Sequence, residues 1–234
     1  MIDIFQKLKG KLIVSCQAED ESPFNSPEGV GAFAECAVRG GAAAIRSCGI
    51  EKTDYLVRHI NVPVIGLTKS SFDDGFVRIT GSFEELEALF NIHPSLIAVD
   101  GTFRLRANGL TGPEYIESIK NRYAGIKIMA DISTVDEAIA CMKAGADCVS
   151  TTLCGYTPDT KSVVGQEPSL KLVKECAEAL PHYPIFAEGR YNTPAEAAKG
   201  IEYGAWAVVV GSAITRPHLI TQWFSEALQH VSAE

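Results

Sequence analysis

Five ionisable side chains in this chain each close a short apolar run. Arg46 follows Ala42 to Ile45, and Lys69 follows Val62 to Leu67 and Thr68. Asp100 follows Leu96 to Val99, Asp131 follows Ile126 to Ala130, and Glu188 ends Pro184-Ile185-Phe186-Ala187. Gln17 closes the first such run, Lys11 to Cys16, and Thr151 and Thr152 close the one that opens at Cys148. A lysine next to a second cation sheds its proton more easily, above all when it is also buried. It can then take a proton beside a carbonyl, or form a Schiff base with the carbonyl itself. Both routes need fixed donors for the charge that develops. Isomerisation, epimerisation and aldol cleavage of a sugar phosphate all suit this set. Any one member is equally well read as a structural ion pair, and Asp100 and Asp131 are the first candidates for that role. The whole set is harder to explain so, because a water-filled barrel mouth need not carry so many charges.

Two glycine turns supply a place for an anion. Glu188-Gly189-Arg190 runs into Thr193-Pro194, a helix cap with proline at the first helical position and Glu196 in the first turn. About twenty residues on, Ala207 to Val210 runs into Gly211-Ser212. Two consecutive strands ending in glycine loops on the same side make a cradle of backbone N–H groups. In an eight-stranded α/β barrel, the loops after the last two strands hold phosphate. Arg190 and Arg216 stand nearby as sources of charge.

These residues need a frame that brings strand ends together. Helical patterns fall at Glu28–Arg39, Glu51–Ile60, Phe83–Phe90, Pro113–Arg122, Val135–Ala144 and Ser169–Leu180, with a closing helix over Leu219–Val231. Ser82 with Glu85 spells a capping box, and Thr134 is a further cap. Phe76 to Thr80 has strand character, but only Ser70 to Gly75 separates it from the third strand. That gap is too short for the crossover that parallel neighbours require. It is therefore expected to extend the third loop. Eight strands remain, each followed by a helix, with near-continuous apolar cores as parallel strands buried on both faces have. The fold class is α/β: a (β/α)8 TIM barrel, expected as a single domain over residues 1–234, with a phosphate site at the last two strands. An open doubly wound sheet is disfavoured because no G-x-G-x-x-G follows the first strand.

Composition narrows the partners. The 234 residues are 46% hydrophobic and 21% charged, in the globular range, with a formal net charge of −8. There is no basic block, so nucleic acid is not expected, and an anionic ligand must be held by a local site. The start is no signal peptide and no apolar run spans a bilayer, so no membrane is expected and the default location is cytoplasmic. Seven cysteines without C-x-x-C and five scattered histidines argue against a disulfide framework and against a metal. Cys16, Cys48 and Cys154 near strand ends read as small core residues. Leu219, Ile220, Trp223, Phe224, Ala227 and Leu228 give the closing helix a broad apolar face. That face is expected to pack mostly on its own barrel, with a homodimer contact as the second use.

Several blocks together resemble the N-acetylmannosamine-6-phosphate 2-epimerase family. They are Leu12 to Gln17, Ala44 to Arg46, Pro63 to Lys69, Val77 to Thr80, Ala98 to Thr102 and Met129 to Thr134, then Thr151-Thr-Leu-Cys-Gly-Tyr-Thr157, Ala187-Glu-Gly-Arg-Tyr-Asn-Thr-Pro194 and Val209 to Arg216. The chain departs from the family pattern at Ser70-Ser71-Phe72, at Gly101 and in the longer loop Glu19 to Pro27. The resemblance implies cofactor-free interconversion of N-acetylmannosamine 6-phosphate and N-acetylglucosamine 6-phosphate, a step of sialic-acid breakdown. It implies Lys69 as the acid/base group at C2 and Glu188 as the handler of ring and hydroxyl protons. Gln17, Arg46, Asp131, Thr152, Tyr156 and Arg190 are then the substrate-binding set, and Gly189, Arg190, Gly211, Ser212 and Arg216 the phosphate-binding set.

Overall fold

The computed structural model describes residues 3–18, 21–161 and 167–232. Glu19 and Asp20 of the first loop, and residues 162–166 of the long loop before Pro168, lie outside it. Among the described residues, eight parallel strands close into a barrel. They are β1 (Lys11–Cys16), β2 (Ala44–Cys48), β3 (Val64–Leu67), β6 (Leu96–Asp100), β7 (Ile128–Asp131), β8 (Cys148–Ser150), β9 (Ile185–Glu188) and β10 (Ala207–Val210). The expected TIM barrel is therefore present. β4 (Lys69–Ser71) and β5 (Val77–Ile79) form a separate antiparallel hairpin after β3, as the short gap requires.

Side chains alternate across each strand, and the register shows which set turns inward. Ile13 pairs with Ala44 and with Val209, Met129 with Cys148, and Phe186 with Ala207. These residues make the apolar interior, with Ile65, Leu67, Leu96 and Ala98. Phe5 and Leu8 of α1 (Ile4–Leu8) join the same cluster from below, and the Trp206 Nε1 donates to the Phe5 carbonyl at 2.6 Å. Two residues further along the same inward rows stand Ser15, Arg46, Asp131, Ser150 and Glu188. The period of two that builds the apolar floor thus also delivers polar groups to the mouth.

The outer helices sit on the opposite rows. α2 (Pro27–Arg39) is capped by the Ser26 hydroxyl, which accepts from Gly29 N, and α3 is Ile50–His59. α4 (Phe83–Phe90) carries the predicted capping box on Ser82, and the caps predicted at Thr134 and Thr193 prove to be full boxes on α6 (Val135–Lys143) and α8 (Pro194–Glu202). Each such cap contributes about 1 kcal/mol. α5 (Gly112–Arg122) and α7 (Leu170–Ala179) complete the ring.

Three expectations need correction. β2 runs on to Cys48, so Arg46 sits mid-strand and points inward from below the rim. Thr151 and Thr152 are not in β8 but in a 3-10 turn, Thr151–Leu153, because the Thr151 hydroxyl bonds the Glu188 backbone and draws the chain out of the sheet. A short α9 (Ser212–Thr215) follows Gly211, and the closing helix α10 spans Pro217–Ser232. α10 does not bury its apolar face on the barrel: Phe224 and Leu228 are each 70% exposed.

Candidate active site

The mouth at the C-terminal strand ends opens into a cavity of about 560 Å³, within the size range of small-ligand sites. Of the predicted residues, Gln17, Arg46, Lys69, Thr152, Tyr156, Glu188, Gly189, Arg190, Gly211, Ser212 and Arg216 all line it. Asp131 and Asp100 do not.

Arg46 is the hub. It is 1% exposed and shared by two carboxylates. Its Nη2 lies 2.5 Å from Asp131 Oδ2, its Nη1 3.0 Å from Asp131 Oδ1 and 3.0 Å from Glu188 Oε2. Thr152 Oγ1 lies 2.9 Å from both Asp131 Oδ1 and Glu188 Oε2. Ser150 Oγ donates to Glu188 Oε2 at 3.2 Å. Burial alone would lower the pKa of Arg46, but Asp131 and Glu188 reverse that and hold it above its ordinary value. Burial lifts the carboxyls of both Asp131 and Glu188 above the usual range, although Arg46 opposes the rise. One arginine cannot fully compensate two buried carboxylates, so the pair titrates together and favours holding a proton. Asp131, fully buried, reaches the cavity only through Arg46 and Thr152.

Lys69 is the first residue of the hairpin, across the cavity from Glu188. Its Nζ donates to Gln17 Oε1 at 2.7 Å, and Gln17 Nε2 donates to Ser15 Oγ at 2.8 Å. Lys69 is exposed at the mouth, and partial desolvation by the cavity walls is the first cause of a pKa below the ordinary lysine value. The positive charges of Arg46 and Arg216 push the same way, while Cys48 and Glu188 oppose. The charged forms of the amine and of the Glu188 carboxyl are both disfavoured in one cavity, a pairing suited to proton transfer.

Asp100 turns away from this set. It accepts from Thr102 N and Thr102 Oγ1, and pairs with Arg104 at 2.7 Å. Its partners belong to the loop after β6 and not to the charged ring of the mouth. At the opposite rim, Gly189 adopts φ +106, which a side chain would strain. Arg190 also has positive φ, +62. Its guanidinium donates to the Cys154 carbonyl at 2.9 Å and lies 4.3 Å from the Tyr156 ring centroid, so it ties the loop after β8 to the mouth. Gly211 caps α9, which the Thr215 hydroxyl fixes to the Ser15 carbonyl at 2.8 Å.

Sequence reasoning passed over Ser15 and Ser150, although each lies two residues before a predicted site residue on an inward row. It also passed over Phe76, Val77, Ile79 and Lys161, which line the cavity. The hairpin alternation signals Val77 and Ile79; Phe76 and Lys161 have no such signal. Cys16 is a core residue, its thiol pushed up to about 12 by burial. Among the described residues, no three His, Cys, Asp or Glu side chains group in a way that could hold a metal ion. No helix there is long and apolar enough to cross a membrane.

A closed parallel barrel that gathers an amine, an arginine–carboxylate cluster and two glycine turns at its C-terminal mouth defines an α/β-barrel enzyme. The chain belongs to one family of these: the family described as "Putative N-acetylmannosamine-6-phosphate epimerase" matches residues 30–230. Relatives from Caldanaerobacter subterraneus subsp. tengcongensis and from Escherichia coli O9:H4 are both named "Putative N-acetylmannosamine-6-phosphate 2-epimerase". They are 43% and 44% identical, covering 95% and 94% of this chain and 93% and 92% of their own. The solved structure of the N-acetylmannosamine-6-phosphate 2-epimerase from Clostridium perfringens superimposes with a TM-score of 0.87 at 38% identity, over 96% of each chain. A thiamine phosphate pyrophosphorylase from Pyrococcus furiosus shares the fold alone, with a TM-score of 0.60 at 18% identity, over 91% of this chain and 89% of its own.

Proposed function

We propose that this chain interconverts N-acetylmannosamine 6-phosphate and N-acetylglucosamine 6-phosphate by proton transfer at C2, without a cofactor, in sialic-acid breakdown. The observation that carries the reading is the Lys69 amine, held by Gln17 in the cavity that Arg46 and Glu188 also line. Ring opening exposes an aldehyde, with Glu188 handling the hydroxyl protons. Neutral Lys69, aimed by Gln17, takes the C2 proton. Arg46, held as a cation, is a fixed donor for the enolate oxygen. Reprotonation on the other face completes the epimerisation. An acetylated nitrogen cannot itself form an imine, so activation comes from the aldehyde. Asp131 acts as a positioning residue through Arg46, while Thr152 and Tyr156 contact substrate. The phosphate is held by the amides after Gly189, where positive φ turns the chain, and by those after Gly211, where the first turn of α9 has no earlier carbonyls to bond. Ser212, Arg190 and Arg216 complete that site.

The remaining parts of the proposal concern setting and assembly. Residues 1–234 act as one domain in the cytoplasm, with neither nucleic acid nor membrane as partner. The chain forms a homodimer in which a second copy covers the α10 face; the exposure of Trp223 and Phe224 on that face supports it. Sedimentation that shows a monomer at micromolar concentration removes the dimer.

Proton NMR of either sugar phosphate with the protein in D2O tests the chemistry. The expected result is loss of the C2 proton signal together with growth of the other epimer. Absence of both refutes the proposal. A lyase acting through a Schiff base would instead leave a covalent Lys69 adduct after borohydride treatment.

A further inference from the structure

The β4–β5 hairpin carries more than Lys69. Its register pairs Lys69 with Ile79, Ser70 with Arg78 and Ser71 with Val77. Alternation puts Lys69, Val77 and Ile79 on one face and Ser70 and Arg78 on the other. The cavity agrees for that face: Lys69, Val77 and Ile79 line it, while Ser70 and Arg78 do not; Phe76 borders it from the turn, with its ring 6.0 Å from the Arg104 guanidinium. In the barrel order β3, from which the hairpin springs, lies directly opposite β9. The β9 side of the cavity presents Glu188, Gly189 and Arg190. Apart from Lys69, the hairpin side presents only Gly75, Phe76, Val77 and Ile79. Val77 is 43% exposed, an apolar side chain left open beside an amine.

The back of the hairpin is fixed. Arg78, 2% exposed, pairs with Asp74 Oδ2 at 2.5 Å and donates to the Leu105 carbonyl at 3.2 Å. Its guanidinium lies 4.9 Å from the Phe72 ring centroid. Thr80 Oγ1 donates to the Ala98 carbonyl at 2.7 Å, which ties the hairpin's exit to β6. The apolar face is therefore held as a wall.

We propose that this wall is the subsite for the acyl group on the C2 nitrogen, and that Val77 and Ile79 set the preference for 2-acylamino over 2-hydroxy sugar phosphates. The inference rests on the C2-epimerase reading. The base must reach the hydrogen on C2, and the acylated nitrogen is bonded to that same carbon. With the phosphate on the β9–β10 side, the C2 end of the sugar points at β3 and the hairpin. The acyl methyl then meets the face from which Lys69 rises.

Calorimetric binding of two probes tests this: N-acetylmannosamine 6-phosphate, and mannose 6-phosphate, which differs by a hydroxyl at C2. Ile79→Ala is expected to weaken the acylated probe by about 5- to 20-fold, and Val77→Thr by about threefold, with mannose 6-phosphate held within about twofold in both. Val77→Thr keeps shape and strand preference, so it carries the test if Ile79→Ala fails to fold. Equal weakening of both probes, or of neither, overturns the acyl wall. C2 deuterium exchange by the unaltered protein separates the two levels. If that exchange fails, the epimerase reading falls; if it proceeds while the variants lose no selectivity, only the wall falls.

Discussion

Asp100 at the end of β6 and Asp131 at the end of β7 are cross-strand neighbours, both fully buried, each paired with an arginine. In sequence they look alike, since each closes an apolar run. Their partners separate them. Asp131 shares Arg46 with Glu188, and Arg46 lines the cavity. Asp100 holds Thr102 and Arg104 of its own following loop, and Arg106 reaches its carbonyl. The same ion pair thus serves a reaction site in one case and a loop in the other. The difference lies in which strand supplies the arginine. Arg46 comes from β2, on the far side of the interior, and must cross the mouth; Arg104 lies four residues from Asp100.

The comparison is broken most severely at the arginines. Arg46→Met leaves two buried carboxylates without their counter-charge, and about 3–5 kcal/mol of stability is expected to go at pH 8. Arg104→Met leaves Asp100 its two bonds from Thr102, so denaturant unfolding should show only about 1–2 kcal/mol lost, with C2 exchange retained. Equal losses would mean that the clusters are equivalent.

At the aspartates the effect moves from stability to rate. Asp131→Asn removes the bidentate hold on Arg46, and turnover is expected to fall on the order of 10²-fold. Asp100→Asn should leave turnover close to that of the unaltered enzyme. A steady-state comparison at one pH decides it.

Acidity sharpens the contrast more gently. Lys69 must lose a proton to act, so kcat/KM should fall as pH drops through its pKa, at a midpoint below the usual lysine value of about 10.4. Arg216→Gln removes a repelling charge and should move that limb to higher pH. Stability carries the matching sign. The fold disfavours the charged lysine, and that cost is full below the folded pKa and absent above the unfolded one. Lys69→Met should therefore raise Tm more at pH 6 than at pH 10. The reverse order would show that Lys69 is stabilised as a cation.

Much of this was legible in the chain. Continuous apolar strands, helix caps and the short gap before Phe76 imply the barrel and its hairpin. The types at the strand ends imply the site. What sequence leaves open is direction. Asp100 and Asp131 cannot be told apart by local pattern, because their arginines lie at different distances along the chain. Thr152 reads as strand until the Thr151 hydroxyl is seen on the Glu188 backbone. The apolar stripe of α10 states that a face is to be covered but not by what, and the barrel leaves Phe224 open.

The central claim is that Lys69 moves the proton at C2. Its most direct test is deuterium incorporation at C2 of N-acetylmannosamine 6-phosphate in D2O, followed by NMR for the unaltered protein and for Lys69→Arg. The arginine keeps a positive charge in the mouth but cannot act as a base at neutral pH. The account predicts rapid exchange in the first and none in the second. Near-native exchange by Lys69→Arg would contradict it, reduce Lys69 to an electrostatic group, and move the search for the base to Glu188.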